Sequence, residues 1–131
     1  MLNKIMLIGN LGKDPKMDYL PSGKAVTKFT LATSRRSRDR DTGERREETQ
    51  WFNIVAWDQL AETCNQYLHK GSKVYIEGRM TSRKYTDTNG IERTVWDVVA
   101  ENMQMLDPKG ASSGGGSEGY QDEMGGEEVP F

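Results

Sequence analysis

One short stretch of this 131-residue chain carries the periodicity of a helix, and its place among five strand-like runs narrows the fold more than any other feature. Within residues 58–70, Leu60, Cys64, Tyr67 and Leu68 recur at i, i+4, i+7 and i+8 on one face. Asp58 is placed to cap the start, and His69 and Lys70 followed by Gly71 suit the end. Three strand-like runs precede it: MLNKIMLIGN at residues 1–10, KAVTKFTLAT at 24–33 and TQWFNIVAW at 49–57. Two follow, KVYIEGRMTSRKYT at 73–86 and ERTVWDVVAENMQML at 92–106, joined around Asn89 and Gly90, a pair suited to a type I′ hairpin turn.

The segments between are polar. KDPKMDYLPSGK, with Pro15, Pro21 and Ser22-Gly23, is expected to be a loop, and SRRSRDRDTGERREE, too charged to pack, a long exposed loop or hairpin tip. From Asp107 onward Pro, Gly and Ser replace the alternation, and too few apolar residues remain to offset the entropy of ordering the segment. The domain boundary is therefore expected near Leu106. A folded domain at residues 1–106 precedes a disordered acidic Gly/Ser-rich linker at 107–126 and a separate tip at 127–131. Five strands with one helix between the third and fourth is the layout of an all-β OB-fold, a Greek-key barrel plugged at one end by the helix. Ferredoxin-like and KH folds need at least two helices in a comparable length.

Charge divides the chain. Five of its 20 acidic residues, Glu118, Asp122, Glu123, Glu127 and Glu128, lie beyond Gly110 with no Lys or Arg among them, so the first 110 residues hold 18 basic against 15 acidic groups. A mildly basic body with an acidic tail suits a polyanion-binding domain and an appendage that cannot itself bind polyanions, or simply a solubilising tail. A lone cysteine, Cys64, and a lone histidine, His69, make neither an intramolecular disulfide nor a zinc cluster, so no metal or cofactor is expected. Cys64 is most simply a small core residue and His69 a cation at the helix end. No apolar run approaches the roughly 20 residues of a membrane span, and the N-terminus lacks the apolar region and cleavage site of a signal peptide; a cytoplasmic protein is expected. There is no phosphate loop, no GxSxG and no HExxH, and DRDTGERREETQ lacks the sixth-position glycine of an EF-hand loop. Gly9-Asn10-Leu11-Gly12 matches a bare GxxG but without flanking helices, and is more economically a strand-end bend. A binding protein is expected, not an enzyme.

In the third strand Trp51, Asn53, Val55 and Trp57 share one face, while Phe52, Ile54 and Ala56 make an ordinary core face. Two tryptophans on the outer face are either interface packing or platforms on which something stacks. Arg35, Arg36, Arg38, Arg40, Arg45 and Arg46 crowd the second long loop, and Arg79, Arg83 and Lys84 lead into Tyr85. Cations interleaved with flat aromatics suit single-stranded nucleic acid, whose phosphates need charge and whose unstacked bases need π-faces. The arginines are equally able to pair with the acids interleaved among them, Asp39, Asp41, Glu44, Glu47 and Glu48. An RNA-binding barrel of cold-shock type is disfavoured because its aromatic motif is absent. An adaptor whose aromatics are interface core remains a second alternative.

NKIMLIGNLGKDP, KFTLATS, TQWFNIVAW, AETCNQYLHKGSKVYIEGRM and the terminal EEVPF resemble, in order and spacing, the motifs of the bacterial single-stranded-DNA-binding proteins. The resemblance implies an OB-fold assembled as a homotetramer that binds and protects single-stranded DNA without strong sequence preference. It also implies delivery of that DNA to replication, recombination and repair enzymes, and so association with the nucleoid. It places Trp51, Trp57 and Tyr85 at base-stacking positions and Lys4, Lys70, Arg83 and Lys84 near the DNA path. Arg35, Arg36, Arg38, Lys73 and Arg79 complete the candidate phosphate-binding set. Ser37 stands where the family often has an aromatic, which points to heavier reliance on phosphate contacts. Trp96 matches no stacking position and is expected to pack in the barrel or an interface.

At the C-terminus, Val129 replaces the isoleucine usual before Pro-Phe, and the linker is short for the family. Glu127, Glu128, Val129, Pro130 and Phe131 form the expected partner-binding tip. Phe131 offers a ring and the terminal carboxylate to an apolar pocket beside a basic residue, the two glutamates steer approach, and Pro130 lowers the entropy lost on docking.

Overall fold

The computed structural model describes residues 1–107. The linker beyond Asp107 and the tip at 127–131 lie outside the described residues. Strands β1 (Ile5–Leu11), β2 (Lys16–Tyr19), β3 (Ala25–Arg38) and β4 (Arg45–Trp57) precede helix α1 (Asp58–Tyr67), which is followed by β5 (Lys73–Thr86) and β6 (Glu92–Met105). Five of the strands close into a barrel in the order β1-β5-β6-β4-β3, and the ring is completed where Asn10 and Leu11 pair with Ala32 and Leu31. All these pairings are antiparallel except β4–β6, which is parallel through Asn53–Asp97, Ile54–Val98 and Val55–Val99. With α1 between the third and fourth barrel strands, this is the OB-fold layout expected from the sequence.

Alternation builds the core. Phe29, Leu31, Ile54, Ala56, Val74, Ile76, Val98 and Ala100 point inward and are buried, and Ala61, Cys64 and Leu68 bring the apolar stripe of α1 against them. The buried Thr27 hydroxyl donates to the Ala61 carbonyl at 2.7 Å, tying β3 to the helix. A bulge in the β5–β6 ladder, where Glu77 faces Asn102 but Gly78 faces Ala100, leaves Glu101 as the extra residue and adds bend to the closing sheet.

Several local expectations need correction. KMDY, within the segment read as a loop, forms β2 and pairs with β3 from Lys16–Lys28 to Tyr19–Ala25; Pro15 and Pro21 flank it and hide a four-residue strand. Asp58 caps nothing: β4 runs directly into α1, so the N-cap position falls on Trp57, no side-chain cap bond forms, and Asp58 is inside the first turn with φ +55°. Ala61 takes the buried place assigned to Tyr67, which is exposed. The β5–β6 turn is not type I′, because only Gly90, at φ +79°, is left-handed and Asn89 is not. Instead the Gly90 N–H donates to the Asp87 carbonyl and the Asp87 carboxylate accepts the N–H groups of Asn89 and Ile91. The arginine-rich segment is a hairpin tip: β3 and β4 stay paired as far as Arg38–Arg45, leaving only residues 39–44 as the turn.

Candidate nucleic-acid interface

The outer faces of β3, β4, β6 and β5 form a groove of about 590 Å³. Cross-strand register sets its floor: Thr30 lies opposite Asn53, Asn53 beside Asp97, and Asp97 opposite Thr81, while the next row brings Lys28, Val55 and Val99 together. Trp57 lines one part of the groove with Leu20 and Val26, Arg83 lines another, and Lys13, Asp14 and Lys16 add a rim from the β1–β2 connection.

Residue parity sorts the aromatic candidates. Trp51, 60 % exposed, follows Asn53 along the outer face of β4, and Tyr85, 45 % exposed, follows Thr81 and Arg83 along the outer face of β5. All three stacking candidates therefore share the groove's face. Trp51 rests beside Gly12, and Trp57 carries the Lys24 ammonium 5.8 Å above its ring. Trp96 pairs with Ser82 on the opposite face of the β5–β6 hairpin and is 58 % exposed, so within this chain it is not barrel packing.

The cations divide in the same way. Arg36 and Arg38 share the Trp51 face of the β3–β4 hairpin, opposite Glu47 and Arg45, whereas Arg35, opposite Glu48, lies on the other face. Ser37 also lies on that other face, opposite Arg46, which reaches the Asp39 carboxylate at 3.4 Å. Arg83 donates from Nε to Asp97 at 2.8 Å, and Arg79 pairs with Glu101 at 3.2 Å. Lys84 faces away from the groove, opposite Thr94. The Lys70 amide donates to Asp14 at 2.7 Å, which brings the exposed Lys70 to the groove's rim.

Lys4 is placed elsewhere. It pairs with Glu77, which also accepts the Tyr75 hydroxyl at 3.1 Å, on the outer face shared by β1 and β5. The Lys4 ammonium and the Tyr75 hydroxyl hold the Glu77 carboxyl below its usual value, and Glu77 in turn raises Lys4. Lys73, at the start of β5, donates its amide to the Asp107 carboxylate at 3.0 Å. Met6 and Ile8 on the same outer face are 64 % and 48 % exposed.

Lys13, Lys16 and Lys28 line the groove but were not among the cations singled out from the sequence. The signal for Lys28 is parity: in KAVTKFTLAT it alternates with the buried Thr27 and Phe29 and so must face outward. Among the described residues no three His, Cys, Asp or Glu side chains gather to hold a metal ion, and no helix is long and apolar enough to cross a membrane.

A family model described as the single-strand binding protein family matches residues 2–106. Single-stranded DNA-binding proteins from Neisseria meningitidis serogroups A and B are each 51 % identical over 121 residues, covering 91 % of this chain and 69 % of theirs. The Plasmodium falciparum SSB in complex with ssDNA superposes with a TM-score of 0.76 at 36 % identity, covering 82 % of this chain and 97 % of that one. On the match across its whole barrel, the chain belongs to the single-strand binding protein family.

Proposed function

We propose that this protein binds and protects single-stranded DNA without strong sequence preference, as a stoichiometric binder and not as a catalyst. The observation that carries the reading is the convergence on one face of exposed Trp51 and Tyr85 and half-buried Trp57 with a groove lined by Lys13, Lys16, Lys28 and Arg83. The aromatics present π-faces to unstacked bases, each stacked base contributing about 1–3 kcal/mol, and the cations take phosphates. Arg36 and Arg38 extend the track along the β3–β4 hairpin. Lys70 and Arg79 meet the strand at its margins, and Arg35, Lys73 and Lys84 meet it where it winds beyond the groove, whereas Lys4, held by Glu77, takes no phosphate.

The working form is a homotetramer. Supporting this, Ile5–Gly9 of β1 pair only with β5 among the described residues, leaving the other edge open, and Met6 and Ile8 are exposed beside it. The tip Glu127, Glu128, Val129, Pro130 and Phe131 recruits replication, recombination and repair proteins to the coated strand in the cytoplasm, at the nucleoid.

Titration of tryptophan fluorescence with oligo-dT, an RNA of equal length and a duplex, at low and high salt, tests the binding. Strong quenching by the DNA strand that weakens as salt rises is expected, and no quenching by any of the three would reject the reading. Deleting residues 111–131 should leave strand binding equal or stronger while abolishing partner recruitment.

A further inference from the structure

A carboxylate on the floor of an anion-binding groove opposes the groove's purpose unless it serves another group. Asp97 is such a carboxylate: it is 7 % exposed, fixed by register between Asn53 of β4 and Thr81 of β5, and surrounded by a lining that includes Lys28 and Arg83. Its Oδ2 accepts the Nε–H of Arg83 at 2.8 Å, and among the described residues this is the guanidinium's one hydrogen-bond partner. The contact is single and is made at Nε. A guanidinium carries five N–H donors, so a bond at Nε leaves the two terminal amino groups, the pair that matches two oxygens of a phosphate, for a ligand. The Arg83 side chain is itself 59 % exposed, and without an anchor it would sample many rotamers.

We propose that Asp97 is a positioning residue for strand binding: it holds Arg83 across the groove in one orientation, so that the ordering of a long side chain is complete before a phosphate arrives. This deepens the binding reading given above and rests on it. The alternative role for a buried carboxylate here, repulsion of the strand, predicts the opposite sign on its removal. Lys28, one row away, and Lys13, Asp14 and Lys16 on the rim are the other charged groups lining the groove. None of them is hydrogen-bonded to Asp97 among the described residues.

The test is binding of oligo-dT to the full chain and to Asp97→Asn, which preserves shape but weakens the anchor, over a series of salt concentrations. The variant should bind about 2- to 10-fold more weakly, the range set by the cost of immobilising one rotamer-rich side chain. Its plot of log affinity against log salt should be shallower by about 0.7, the value of one phosphate contact on a single strand. Adding Arg83→Lys to Asp97→Asn should then weaken binding no further than Arg83→Lys alone. Binding tighter than that of the parent, an unchanged salt slope, or additive effects of the two substitutions would overturn the assignment. A parent protein that fails to bind oligo-dT would instead reject the proposed function. If Asp97→Asn does not fold, Arg83→Lys decides the matter, because lysine keeps the charge but lacks the second edge: parental affinity overturns the proposal and a loss supports it.

Discussion

The Trp51 indole lies against the backbone of Gly12: a Cβ at residue 12 would stand 2.5 Å from Cζ3 and 2.9 Å from Cη2 of the ring. Gly12 is itself fixed by its N–H bond to the Thr30 carbonyl at 3.1 Å, so it is the ring that must give way to any larger residue. Because Trp51 is already 60 % exposed, moving it costs the barrel little. Gly12→Ala should therefore lower affinity for oligo-dT by about 5-fold or more, the loss of one stacking contact, with little change in melting temperature. Parallel fluorescence titration and thermal melting would check this; a large drop in melting temperature with unchanged affinity would mean that the ring's seat matters only to the fold.

Lys28 stands in the middle of the groove, exposed on the outer face of β3 opposite Val55. Lys28→Ala should weaken strand binding at every sequence tested and reduce the salt slope by about 0.7, because a phosphate contact releases counterions but carries no sequence information. Affinities for oligo-dT and for a mixed-sequence strand, measured across salt, would show the same loss for both. A loss confined to one sequence would instead point to base contact.

Lys4 should behave differently, since its ammonium is committed to Glu77 on the β1–β5 face. Glu77 is held below its ordinary value of 4.5, so its contribution to stability is present above that pH and is lost as pH falls through the lowered folded value. Lys4 is raised above 10.5, so its share is full below that pH and is lost as pH rises through the raised value. Lys4→Ala should flatten the acid limb of a plot of melting temperature against pH while leaving the salt slope of strand binding unchanged. Calorimetric melts from pH 3 to 7 beside salt-dependent titrations would separate the two effects.

The differences between sequence and structure have local causes. Period-two alternation exposed all five barrel strands because each buries one face, as Phe52, Ile54 and Ala56 show against Trp51, Asn53 and Val55. The short strand Lys16–Tyr19 buries almost nothing, so its residues carry no such signal, and flanking prolines masked it. The outward aromatics Trp51 and Tyr85 were legible as large side chains on a face that has no core to fill. Parity marked Lys28 only as an outward-facing lysine, which is ordinary in a strand until register sets it opposite Val55, in one row with Val99. The Asp97–Arg83 contact was not legible, because it joins residues 14 apart across a hairpin and depends on which faces the two strands present. The Asp58 cap failed for a related reason: capping preferences assume a loop before the helix, and here a strand feeds it directly.

Cys64 lies at the centre of the contact between α1 and the barrel, with no exposed surface, and burial pushes its thiol up from 9.0 to about 11. A group whose folded value is raised leaves stability intact below its unfolded value and loses it as pH climbs between the two, because the unfolded chain ionises first. Stability should therefore fall between pH 9 and 11 more steeply in the parent than in Cys64→Ala, although the variant starts lower for want of the buried sulfur. The same burial makes the thiolate scarce and inaccessible at neutral pH, so a disulfide reagent should modify Cys64 only after denaturant is added. Denaturant melts at pH 8, 9.5 and 11, with thiol titration at pH 8, would check both. Rapid labelling of the native protein would mean that α1 leaves the barrel far more often than its packing and the Thr27–Ala61 hydrogen bond allow.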